Sequence, residues 1–134
     1  MGQPNRSIVR AMLIGLSGVF LIGTAAPTAL APALAGIWEI GRSATGADAR
    51  RTCIAEPIAL SQWEHQSGRC TRVIIADSGN KAVIHYTCAD GGFGRSEMTL
   101  VTPRSIKVAT QGISRAGPFS YTLHARRVGN CAPR

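Results

Sequence analysis

Four cysteines, three histidines and seven carboxylates are the residues of this 134-residue chain with chemistry to offer. Cys53, Cys70, Cys88 and Cys131 contain no C-x-x-C spacing, which argues against a thioredoxin-type redox pair and against a zinc ribbon. An even count of cysteines in an exported chain reads instead as a disulfide framework. His65, His85 and His124 fall on three separate elements with no acid or cysteine at ligand spacing, so neither a metal site nor a cofactor is expected. The acids are scattered singly and no G-x-S-x-G is present, so no catalytic residue is singled out and the chain is not expected to be an enzyme. Gly91-Gly92-Phe93-Gly94 has the glycine content of a phosphate loop, but the lysine and helix that should follow are missing; turn chemistry is the better reading.

The cysteines need an oxidising compartment, and the start of the chain supplies the route. Arg6 and Arg10 precede an apolar run over 11–22, and a small-residue stretch with Pro27 and Pro32 follows. That is the order of a secretory signal peptide. The apolar run is too short to span about 30 Å of hydrocarbon. Ala33-Leu34-Ala35 is the expected cleavage motif, because earlier small-x-small sites leave Pro27 or Pro32 at the new terminus. Residues 1–35 are therefore expected to be a signal peptide. Residues 36–134 are expected to form one disulfide-bonded domain in the periplasm or medium, with no transmembrane segment after cleavage.

Period-2 alternation runs through most of that domain. Strands are expected over 37–43, 50–55, 70–77, 81–88, 94–102, 105–113 and 119–128, with turn residues between them. Pro57 suits a first helical turn, Ser61 to Glu64 has capping-box spacing, and Gly68 ends a short helix within 57–67. The fold class is all-β with one short helix, an antiparallel meander of about seven strands forming a sandwich or partial barrel. Folding 70–77 on 81–88 about Gly79 sets Asp77 opposite Lys81, Ile75 opposite Val83, Ile74 opposite Ile84 and Cys70 opposite Cys88. Cys70–Cys88 is the expected first disulfide, which leaves Cys53 to Cys131.

A formal charge of +8 with 45% hydrophobic residues excludes a disordered polyelectrolyte. The arginine excess suits anionic envelope components; nucleic acid fits the charge but not the compartment. Trp38, Met98, Leu100 and Tyr121 fall on the apolar faces of three strands, and a curled sheet turns such faces inward. The expected function is a non-catalytic binding module for an apolar or amphiphilic ligand, such as a lipid or another envelope component, held on that face. An envelope-surface protein using its arginine-rich face is the first alternative, and an unrecognised hydrolase the second.

The order Gly36-x-Trp38-Glu39, then Cys53, Cys70 and Cys88, then Arg126-Arg127-Val128-Gly129-Asn130-Cys131 resembles the exported bacterial proteins of domain of unknown function family 3617. The resemblance covers 36–131, nearly the whole of the expected mature chain. It implies a small periplasmic β domain and carries no catalytic residue over to this chain.

Overall fold

The structure is a computed structural model and describes Gly2 and residues 26–133. The apolar run expected to serve as the export signal lies outside the described residues. Among those described, no helix is long and apolar enough to cross a membrane.

Seven strands form one antiparallel sheet: β1 (Gly36–Gly41), β2 (Arg50–Ile54), β3 (Cys70–Ser78), β4 (Lys81–Cys88), β5 (Phe93–Thr102), β6 (Ser105–Ser114) and β7 (Gly117–Gly129). Two 3-10 segments accompany them, η1 (Thr28–Leu30) ahead of β1 and η2 (Pro57–His65) between β2 and β3. The strand order is β2-β1-β7-β6-β5-β4-β3. β1 pairs with β2, the strands from β3 to β7 each pair with the next in sequence, and β1 also pairs with β7; the ladder that would complete a cycle, β2 with β3, is missing. The sheet thus has the order of an up-and-down barrel left open at one seam, and η2 fills the connection across it.

Alternation decides the inner face. Trp38, Ile40, Ala82, Ile84, Met98, Ile106, Val108, Leu123 and Ala125 are buried there, and η1 and η2 close over them with Ala29, Leu30 and Leu60. At about 1.5–3 kcal/mol for each fully buried large aliphatic side chain, this face is the main source of stability. A polar link fixes η2 to the sheet. The Ser96 hydroxyl, fully buried, donates to the Ser61 carbonyl, and the Thr110 hydroxyl lies 2.8 Å from it.

Two local expectations are corrected. In the β3–β4 hairpin, Cys70↔Cys88 through Ile74↔Ile84 pair in the expected register, but the register then shifts by one. Asp77 faces Ala82 rather than Lys81, and Val83 faces Ala76 rather than Ile75. The turn is the cause. It holds only Gly79 and Asn80, with Gly79 at φ 58°, so Ser78 pairs with Lys81 and Ile75 is pushed out as a bulge. The Ser61–Glu64 capping box does not form. Pro57 opens the segment, but Ser61 sits inside it, with its carbonyl bonded to Ser96 and the chain kinked at Gln62.

Candidate functional site

The residues with chemistry gather at one end of the inner face. Tyr86 on β4, Gly94 on β5, Gly112 on β6 and Phe119 on β7 form one cross-strand row. His65, at the end of η2, packs edge-on to Tyr86 and Phe119 and places Nδ1 3.0 Å from the Tyr86 hydroxyl. Two residues along β7 from Phe119, the Tyr121 hydroxyl donates to Glu64 Oε2 at 2.7 Å, and the Arg42 guanidinium lies 3.9 Å from the Tyr121 ring centre. Burial first, and the Glu64 carboxylate second, push the Tyr86 phenol up to about 12. Tyr121 is pushed up further by burial and by its bond to Glu64. Both phenols therefore stay protonated near neutral pH.

His65, Cys88 and Asp90 bring potential ligand atoms within 4.8 Å of one another. The sulfur of Cys88 is bonded to Cys70, so it offers no thiolate. Asp90 Oδ1 accepts the Gly92 N–H at 2.9 Å, and His65 Nε2 is buried without a partner against Gly92. The glycine fits because a Cβ there would lie 2.3 Å from that nitrogen.

The structure pairs Cys70 with Cys88 and Cys53 with Cys131. Trp38, Met98, Leu100 and Tyr121 do share the inner face, but it is filled by the chain itself. Trp38 and Met98 are fully buried, Leu100 is buried, and Tyr121 is half-buried beneath Arg42. The Trp38 indole donates to the Leu34 carbonyl at 3.1 Å. A ligand on this face would have to displace η1 or η2.

Among the clefts of the described residues, one lies at the seam. A cleft of about 850 Å3 runs between the start of η2 and the free edge of β3, lined by Leu30, Ala33, Pro57, Ile58, Val73 and Ile74. Its size falls within the roughly 300–1,000 Å3 of small-molecule sites. Val73 and Ile75 remain more than half exposed on this edge. Arg72 stands in the same wall, half-buried, and enters none of the ion pairs among the described residues. Sequence reasoning missed this site. The available signal was the β2–β3 connection, the one link in the domain that carries a helical pattern instead of a tight turn, and hence the place where a meander stops pairing.

On the outer face the basic residues are partly neutralised. Glu39 binds Arg51 at 3.0 Å and Arg126 at 2.9 Å, and these two hydrogen bonds, Arg126 first, hold its carboxyl below the usual range. Arg127 Nε donates to the Ala35 carbonyl at 2.7 Å, and Cys131 is bonded to Cys53. A Cβ on Gly36 would lie 2.4 Å from the Gly129 carbonyl oxygen. The residues at the two ends of the domain therefore meet at one corner, where β2, β1 and β7 lie side by side.

A family model described as "Protein of unknown function (DUF3617)" matches residues 31–131, and those residues contain this corner, both disulfides and the seam. No curated protein and no solved structure matches the chain. The chain belongs to the DUF3617 family.

Proposed function

We propose that this member of the DUF3617 family is an exported, non-catalytic binding module for an amphiphile of the cell envelope. The apolar tail enters the β2–β3 seam, and an anionic head meets Arg72. The observation that carries this reading is the seam cleft, whose lining is mostly apolar but includes Glu56 and Thr71, with a half-buried arginine in its wall that enters none of the ion pairs among the described residues. An arginine with no carboxylate partner favours a carboxylate or phosphate head, which it can grip through two parallel hydrogen bonds. The two disulfides fit a periplasmic or extracellular setting.

Dodecanoate and dodecyltrimethylammonium, which share a tail and differ in head charge, test the site by native mass spectrometry and calorimetry. One dodecanoate is expected per chain, with the cationic amphiphile at least tenfold weaker. Ile58→Glu should abolish binding, and Arg72→Glu should reverse the preference for head charge. Absence of dodecanoate binding, or equal binding by the Ile58→Glu protein, would overturn the reading.

A further inference from the structure

The packed molecule begins upstream of Gly36. Pro27 is fully buried, and Ala29 and Leu30 are each 4% exposed within the hydrophobic core. The Asp77 carboxylate on β3 accepts the Thr28 N–H at 2.6 Å and the Ala29 N–H at 2.8 Å, which fastens η1 to the sheet. The Leu34 N–H donates to the Pro103 carbonyl between β5 and β6. The Leu34 carbonyl accepts from the buried Trp38 indole, and the Ala35 carbonyl accepts from Arg127. Five attachments thus join residues 27–35 to β1, β3, β7 and the β5–β6 turn, apart from the core contacts of η1.

A cut after Ala35 would remove all of them. The Trp38 N–H would lose its acceptor and Asp77 both its donors, and the apolar floor under η1 would be opened to water. A buried donor without an acceptor is costly, as is apolar surface returned to solvent. Retention of this segment leaves the motifs upstream of it, and of these a cut after Ala26 would put Pro27 at the new terminus. Gly23-Thr24-Ala25 is also small-x-small; a cut behind it makes Ala26 the first residue and Pro27 the second. Ala26 is exposed, whereas Pro27 beyond it is buried, so the new charged amine emerges where the fold meets solvent.

We propose that the leader is removed by hydrolysis of the Ala25–Ala26 peptide bond. Water adds across the amide; Ala25 keeps the new carboxylate and Ala26 the new amine. Residues 26–35 are then the first structural segment of the mature protein and one wall of the seam cleft, not part of the export signal. The proposal stands on the packing alone and holds whether or not the cleft binds an amphiphile.

Intact-mass measurement and N-terminal sequencing of the exported, oxidised protein test it. Ala26 is expected as the first residue; a first residue of Gly36, or an uncleaved chain, would overturn the assignment. A pair of variants gives an independent check without touching the core. Ala25→Asp should accumulate precursor at least tenfold over wild type, whereas Ala35→Asp should be processed at the normal rate. The reverse pattern would place the cut after Ala35.

Discussion

Gly94 and Gly112 are neighbours across the β5–β6 ladder, and each leaves room for an aromatic ring from the strand beyond it. A Cβ on Gly94 would lie 2.5 Å from the Tyr86 hydroxyl, the far end of a side chain. A Cβ on Gly112 would lie 2.1 Å from the Phe93 carbonyl oxygen and 2.9 Å from the Phe119 ring. Backbone cannot move aside as a ring tip can. Gly112→Ala is therefore expected to destabilise the protein by about 1–3 kcal/mol, as overpacked sites do, in urea unfolding with an unchanged m-value. A wild-type midpoint would refute the crowding read from these distances. The sequence marks Gly112 only as a glycine inside a strand. Its reason, a close approach from the neighbouring strand and from Phe119, depends on a pairing that one strand's sequence does not contain.

The joint between η1 and β3 is the element whose strength should vary with acidity. Two backbone N–H groups, Ala29 first and then Thr28, hold the Asp77 carboxyl below its ordinary value. A depressed folded-state value gives stability that is complete above the unfolded value of about 3.9 and lost as the pH falls through the folded one. Asp77→Asn should accordingly lower the melting temperature at pH 7, and its gap from wild type should close as the pH drops below about 4. A gap that is constant from pH 7 to pH 2 would show that the charge contributes nothing to the joint. The strands were legible from alternation, and the seven-strand class followed from it. The hairpin register was legible as far as Ile74, because alternation continues past a bulge and gives no sign of one. The segment 26–35 was read as leader because Ala, Pro and Leu serve a cleavage region and a core plug equally well; only its contacts with Asp77, Trp38 and Arg127 separate the two uses. Alternation places Trp38, Met98, Leu100 and Tyr121 on one side of the sheet, and the structure has them there, but single-strand patterns do not show that η1 and η2 cover that side.

Across the whole molecule, most of the residues that carry the family resemblance join the two ends of the domain, whereas Cys70 and Cys88 tie the β3–β4 hairpin. Gly36, Trp38 and Glu39 come from the beginning, and Arg126, Arg127 and Cys131 from the end; they meet through an ion pair, a main-chain contact and a disulfide. That corner also dictates an order of assembly. The β3–β7 meander is made of neighbours in sequence, whereas the Glu39–Arg126 contact spans 87 residues. Contacts between distant residues carry the larger loop-closure entropy and are gained last. The meander should therefore be a kinetic platform, with the N-terminal strands arriving on β7 only after the final strand has joined it. The disulfides record that history: Cys70–Cys88 closes 18 residues and Cys53–Cys131 closes 78. During oxidative refolding quenched with a thiol-blocking reagent, the one-disulfide species carrying Cys70–Cys88 should accumulate ahead of any carrying Cys53–Cys131. An early Cys53–Cys131 species would mean that the ends find each other before the middle is built. On the expected course, a chain stalled before Gly117 has no β7 to receive β1, and it waits with that edge bare and with Cys53 still a thiol, whose thiolate can attack any disulfide it meets and be captured as a mixed disulfide.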